Sequence, residues 1–333
     1  MIHTSVCTLL DITYPIVLGG MGTGTSVPLV AAVSQAGGLG TLGATNLTAA
    51  QVREQVAAIR AATDQPFGVN YLLFRLDEES FAAALQSRPA VIAFAWARPE
   101  QDLRPYIQRV HAAGLKAMYM AGEVPEAVRA AEAGADVIVA QGTEGGGHVG
   151  WMATMVLVPM VVQAVAPRPV LAAGGIADGR GLAAALALGA EGVLLGTRFL
   201  ATDEAPLHAN FKQAIVHSTG HDTMLTDIPD IAARQVWPGA MARVLRNRFI
   251  ERWAGREWAL RQHAHEVAQT LMAARQAGDA ENAALLVGQD AGLIEAVLPA
   301  AEVIRRMVAQ AEEIITGRLP QLCQKELASR IAQ

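Results

Sequence analysis

From the N-terminus to about residue 200, short apolar runs alternate with stretches whose apolar positions recur at helical spacing. The runs at 15–18, 38–42, 67–70, 91–94, 116–119, 137–140, 169–172 and 192–195 predict strands. Between them, 28–36, 49–61, 100–112, 125–133 and 179–188 predict helices. Such alternation specifies parallel βαβ units, and eight units close most simply as a (β/α)8 TIM barrel. A doubly wound open sheet is the alternative. It requires an early dinucleotide fingerprint, and Gly19-Gly20-Met21-Gly22-Thr23-Gly24 lacks the GxGxxG spacing followed by a distant acid.

Past Thr202 the pattern changes. Residues 204–278 carry histidines, arginines and tryptophans at helical spacing with no clear strand. Residues 303–315 then put Ile304, Met307, Val308, Ala311, Ile314 and Ile315 on one helical face. This predicts the eighth barrel helix, displaced by an insertion. The expected organisation is a barrel of 1–203 and 286–333, with a mainly helical inserted subdomain, 204–285, over its catalytic mouth.

Composition narrows the class. A chain of 333 residues that is 52% hydrophobic and 17% charged can bury a large core and is too apolar for disorder. A net charge of −5 without a basic run sets it against nucleic-acid binding. Cys7 and Cys323 have no metal-ligand spacing and read as free thiols of a reducing cytoplasm. The N-terminus lacks the basic and apolar regions of a secretory signal. Residues 152–167 are uncharged and apolar, but Pro159, Pro167, Thr154, Gln163 and the shortness of the run oppose a membrane span. They read as loop, buried helix and strand. Neither an HExxH nor a cysteine cluster points to a metal, and no GxSxG elbow points to a serine hydrolase.

The chemistry concentrates at predicted strand ends. After the sixth strand comes Gln141-Gly142-Thr143-Glu144-Gly145-Gly146-Gly147-His148-Val149-Gly150. Three glycines permit close backbone approach, and the histidine delivers a titratable group to the same place. A lone histidine is more often structural, but this one shares its barrel face with a candidate phosphate site. That site is formed by Gly174-Gly175 after the seventh strand and Gly196-Thr197 after the eighth. Backbone N–H groups there commonly cradle a phosphate. The plainer reading is a pair of tight turns. Asn70 and Gln141 offer amides that donate and accept, or serve as turn residues. Glu144 orients the loop, or is a solvated acid. Trp96 walls a pocket or belongs to the core. Arg243, Arg246 and Arg248 read as a solvated helical stripe and, like Trp237, take no catalytic role.

Taken together these segments resemble the nitronate monooxygenase (2-nitropropane dioxygenase) family. The resemblance is carried in order by Tyr14–Val17 with Gly19-Gly20-Met21, Ala36–Gly40, Phe67–Asn70, Gln141–Gly150, Ala172–Gly181 and Gly196–Leu200. Gly288-Gln289 with Gly292-Leu293-Ile294 extends it. It implies a non-covalent FMN in the barrel mouth. Gly174, Gly175, Gly196 and Thr197, with Ala173 beside them, would hold the phosphate. Asn70, Gln141 and the Gly20-Met21-Gly22 backbone would face the ring, with Gly146 and Gly147 close by. His148 would face the substrate, and Trp96 and Met120 would line its pocket.

The activity implied is oxidation of alkyl nitronates by O2 to a carbonyl compound and nitrite. Partners would be the small substrate and O2, with no nucleic acid or membrane, and a homodimer is compatible. Gly146–Gly150 followed by Thr154-Met155 and Leu157–Pro159 also resembles FMN-dependent enoyl-ACP reductases. Gly19-Gly20-Met21 is nearer to those and to NADH:quinone reductases. Phe94-Ala95-Trp96 departs from the histidine-containing strand end of some monooxygenases, and Met120 stands where several relatives carry lysine. These leave an alternative, an NAD(P)H-dependent flavin reductase acting on a quinone or an enoyl thioester. A non-catalytic phosphate-ligand barrel is a third.

Overall fold

All eight predicted strands form in the computed structural model, which describes residues 2–322. They are β1 (Ile16–Leu18), β2 (Gly40–Gly43), β3 (Phe67–Leu72), β4 (Val91–Ala95), β5 (Lys116–Ala121) and β6 (Val137–Gln141). A short strand outside the ring, β7 (Gly147–Val149), precedes β8 (Val170–Ala173) and β9 (Gly192–Leu195). The ring order is β1-β9-β8-β6-β5-β4-β3-β2, parallel throughout, and a Val17–Leu39 bridge joins β1 to the end of β2. These strands read as continuous apolar runs because both their faces are covered. Alternate side chains divide between two cores. Val17, Val91, Ala93, Val137, Val139 and Leu171 point into the barrel, while Ile16, Leu18, Ile92, Phe94 and Ile138 meet the helices.

One end of the barrel interior is closed by Val6, Cys7 and Leu10 of α1 (Ser5–Leu10), an element with no counterpart in the sequence reading. Cys7 is a buried free thiol, and Cys323 lies outside the described residues. The outer ring is α2 (Val27–Gln35), α3 (Ala49–Ala62), α4 (Glu78–Ser87), α5 (Arg104–Ala112), α6 (Val124–Glu132), α7 (Thr154–Val165) and α8 (Gly179–Ala187). Helix starts are locally encoded: Thr48 and Gln51 form a capping box on α3, and Asp178 accepts from Arg180 and Gly181 N–H at α8. The 152–167 run is only half-buried. Leu157, Val158, Val161 and Val165 of α7 face the core, while Met155, Val156 and Met160 are exposed, and the following strand begins at Val170. No helix among the described residues is long and apolar enough to cross a membrane.

Beyond β9 the chain forms α9 (Thr197–Leu200), α10 (Ala209–His217), β10 (Thr223–Thr226), α11 (Ile228–Ala233), β11 (Met241–Leu245), α12 (Arg248–Trp253) and α13 (Glu257–Ala277). The final helix, α14 (Ala300–Glu313), packs against α8 and α2 and takes the eighth place in the outer ring. The segment is largely helical with its own core of Ile228, Ile231, Val244, Phe249, Ile250, Trp253 and Leu260. It also contains two strands where none was expected. β10 and β11 pair antiparallel, and β11 pairs with β7, setting Ala242 opposite His148 and Arg243 opposite Gly147. Short strands with a distant partner leave little periodic signal, since strand propensity is largely a property of context.

Candidate active site

The C-terminal ends of the barrel strands open into a cavity of ≈ 450 Å³. This is the face on which barrel enzymes carry their chemistry. Gly174, Gly175, Gly196 and Thr197 line one end, with Ala173 at the tip of β8. Gly174 holds φ +93°, and a Cβ there would stand 2.6 Å from the Gly142 carbonyl oxygen. Only glycine fits that turn. The Thr197 Oγ1 accepts the Gly288 N–H at 2.9 Å, drawing the 288–290 segment onto the same end of the cavity.

That segment brings Asp290, a site residue the sequence reading passed over although its neighbours Gly288 and Gln289 had been noticed. Its carboxyl is buried and lines the cavity. Burial pushes it up to about 7, against the opposing pull of its own backbone N–H, the Thr197 hydroxyl and Arg198. Desolvation makes its neutral form accessible near pH 7.

Gly20, Met21 and Gly22 form the loop after β1, beside the β9 turn, where a Cβ on Gly196 would stand 3.3 Å from the Met21 Sδ. Asn70 donates its Nδ2–H to the Gly20 carbonyl at 3.3 Å, and a Cβ on Gly20 would stand 2.3 Å from the Asn70 Cβ. Gln141, at the tip of β6, also lines the cavity, and its Oε1 is buried without a hydrogen-bond partner. The same holds for Thr41 Oγ1, which carried no sequence signal. Orphaned buried acceptors are costly and rare. Two of them, facing a cavity that ends in a glycine cradle, fit a flat heterocycle with its own donors joined to a phosphate. FMN has that form.

The glycine run does more than clear space for a ligand. Gly145, Gly146 and Gly147 line the cavity, and a Cβ on Gly146 would stand 2.5 Å from the Gly288 nitrogen. The close approach is thus partly to the protein's own backbone. Glu144 orients this loop: its carboxylate accepts the Thr154 N–H and hydroxyl, and its carbonyl accepts the Gln289 N–H at 2.9 Å. Arg243 corrects the expected helical stripe. It lies on β11, is buried, and donates to the Thr143 carbonyl at 2.8 Å and the Thr223 hydroxyl at 3.3 Å. Arg246 falls outside a helix and Arg248 begins α12, so the three share no helical face.

His148 faces the cavity from β7. Its Nε2 lies 2.9 and 3.0 Å from the two carboxylate oxygens of Asp230 on α11. Trp237 stacks on the imidazole with ring centroids 3.4 Å apart and planes at 11°. Trp237 in turn meets Trp96 edge-on at 6.0 Å and Phe74 at 5.0 Å. Trp96 lines the cavity at φ +56°, a left-handed conformation that a bulky residue adopts only when its surroundings hold it. Tyr119 helps, accepting the Ala97 N–H at 3.2 Å while donating to Glu126 at 2.8 Å. Met120 lines the same wall. Asp230 and Trp237 were missed as site residues because nothing local ties them to a histidine far upstream. Arg75 and Arg275 also line the cavity, and Arg275 donates to the Thr23 hydroxyl at 3.0 Å.

A closed parallel barrel with a glycine cradle after its last two strands, and a histidine facing an aromatic-walled cavity, defines a TIM-barrel flavoenzyme. The sequence model of the nitronate monooxygenase family matches residues 3–85 and 77–310. The chain belongs to that family and is an FMN-dependent oxidoreductase. It is 34% identical over 289 residues to a "probable nitronate monooxygenase" of Staphylococcus haemolyticus, covering 73% of this chain and 78% of that protein. It is 37% identical over 254 residues to the (3aS,4S,5R,7aS)-5-hydroxy-7a-methyl-1-oxo-octahydro-1H-indene-4-carboxyl-CoA dehydrogenase of Mycobacterium tuberculosis, covering 75% and 68%. The solved structure of FabK from Thermotoga maritima superposes with a TM-score of 0.85 at 36% identity, covering 95% of this chain and 98% of that one.

Proposed function

We propose that this protein oxidises alkyl nitronates, and the nitroalkanes that give rise to them, with O2 as the final acceptor. The observation that carries the reading is His148, anchored through Nε2 and facing an apolar cavity beside the orphaned acceptors that fit FMN. FMN, when bound, supplies the electron transfer from nitronate to O2. Gly174, Gly175, Gly196 and Thr197 would hold its phosphate, and Asn70, Gln141 and Gly20–Gly22 its ring. His148 then removes the α-proton of a neutral nitroalkane, or donates a hydrogen bond to a nitronate oxygen. An imidazole, with one nitrogen able to accept and one to donate, suits either task. Trp96, Trp237 and Met120 exclude water around the reacting carbon. Arg75 and Arg275 bias the mouth toward an anion. We place the enzyme in the cytoplasm, where a free thiol such as Cys7 remains reduced.

A second reading is favoured by the FabK superposition and by the CoA thioester in the name of the mycobacterial relative. In it, NAD(P)H reduces the flavin and an enoyl thioester or quinone reoxidises it. An anaerobic stopped-flow comparison decides. Bleaching of the flavin by propyl-2-nitronate without nucleotide, followed by nitrite release on admitting O2, is the expected result. Rapid bleaching by NADH or NADPH with no response to nitronate would replace the first reading by the second. Colourless protein that takes up no flavin would favour a ligand-binding barrel.

A further inference from the structure

We propose that Asp230 is a positioning residue that fixes the tautomer of His148 and makes Nδ1 the atom through which protons pass to and from substrate. This rests on the reading that His148 handles a substrate proton. A carboxylate has only acceptors, so the imidazole nitrogen facing both Asp230 oxygens must carry hydrogen. The neutral ring then has its lone pair on Nδ1. Among the described residues Nδ1 has no hydrogen-bond partner, while the His148 side chain lines the cavity.

The pair is nearly dry, with side-chain exposures of 10% for His148 and 11% for Asp230. In such surroundings the Nε2–H···carboxylate bond meets little competition from water, and Nδ1 is the nitrogen left to take up a proton. The ring is also held in plane. Trp237 covers one face of it, and the β7–β11 pairing fixes the backbone beneath. Two other charged groups lie near. Arg243 is committed to Thr143 and Thr223, and Glu144 to Thr154. Neither has a hydrogen bond to His148.

The proton step balances without another reactant. The α C–H bond of a nitroalkane breaks, its electron pair passes into the nitro group, and the proton forms a bond to Nδ1. The imidazolium so formed is held against the Asp230 carboxylate and later returns its proton to water. Asp230 keeps its charge throughout and acts only through the histidine.

The test uses FMN-loaded protein labelled with 15N-histidine, the His148 resonances being assigned by their loss in His148→Asn. In the native enzyme the neutral ring is expected to be protonated at Nε2 with Nδ1 bare. A neutral form protonated at Nδ1 would overturn the proposal with no variant needed. In Asp230→Asn, whose amide can donate as well as accept, the neutral tautomers should mix. Turnover of neutral nitroalkane should drop about 10- to 100-fold, the usual scale for losing a group that orients a catalytic one. Turnover of preformed nitronate, which needs no proton removed, should change less than about threefold. Asp230→Glu should recover part of the Nε2-protonated population. An unchanged tautomer in Asp230→Asn, with flavin absorbance retained, would also overturn it. Wild-type enzyme inert toward nitroalkane and nitronate alike would instead sink the functional reading, while the NMR result would still decide the role of Asp230.

Discussion

His148 and Asp290 line one cavity, and burial gives each a different task. His148 meets a carboxylate and an indole, so its ring is oriented before substrate arrives. Replacing it by Asn keeps a polar side chain on β7. We expect His148→Asn to retain flavin absorbance while turnover of neutral nitroalkane falls about 10²- to 10⁴-fold, the range for losing a general base. Unchanged turnover would assign the histidine to structure alone. Asp290 has its folded pKa raised to about 7 from an ordinary 3.8. Between those values the folded protein holds a proton that the unfolded chain has released. Stability therefore falls as pH rises from about 4 to about 7, by up to about 1.4 kcal/mol per pH unit. Asp290→Asn should remove that slope. Urea unfolding at pH 5 and pH 8 would show it as a difference between wild type and variant, and parallel pH dependences would refute it.

At the scale of elements, the site depends on a three-stranded sheet, β10-β11-β7, that belongs to neither the barrel nor the surrounding helices. Arg243 ties it to the 142–154 loop through the Thr143 carbonyl. Arg243→Met keeps most of the buried aliphatic length and removes the donors. It should cost about 1–3 kcal/mol, the penalty for leaving a buried acceptor unpaired, and loosen the loop that presents His148. The check is a shifted urea midpoint together with faster amide exchange at Gly147–Val149. Unaltered exchange there would show that β11 does not hold β7 through this side chain. The turn after β8 is equally specific. Gly174→Ala places a methyl at φ +93° against the Gly142 carbonyl. Such strain costs about 1–3 kcal/mol, and it falls on the segment proposed to hold phosphate. Flavin fluorescence titration should show FMN binding at least tenfold weaker, and wild-type affinity would remove Gly174 from the cradle.

Over the whole molecule, the cavity draws on both ends of the chain: loops of the barrel form its floor, while Gln235, Trp237, Arg275 and Leu286 complete its wall. A ligand that fills it therefore links segments far apart in sequence. FMN at one hundred times its dissociation constant should stabilise the folded protein by about 2.7 kcal/mol, seen as a Tm that rises with FMN concentration. A Tm indifferent to FMN, in protein that remains yellow, would contradict binding to the native state.

The barrel was legible in the sequence because its strands are buried on both faces. Such burial writes an apolar run that needs no knowledge of the neighbouring strand, and the helices between them declare their period locally. The glycines of the 174–175 and 145–147 turns were legible for a related reason: a left-handed turn or a backbone crossing leaves glycine as its local mark. The helix α1 inside the barrel and the strands β10 and β11 were not, since neither a plug nor a short edge strand differs in pattern from an ordinary polar or amphipathic segment. Least legible was the surrounding of His148. Asp230 and Trp237 bear on it only through tertiary pairing of β7 with β11. Sequence alone thus determined the scaffold, the glycine turns after its last two strands and the histidine. Only the folded chain decided that Nε2 of that histidine meets the Asp230 carboxylate, because hydrogen bonds between distant segments obey geometry and leave no periodic trace.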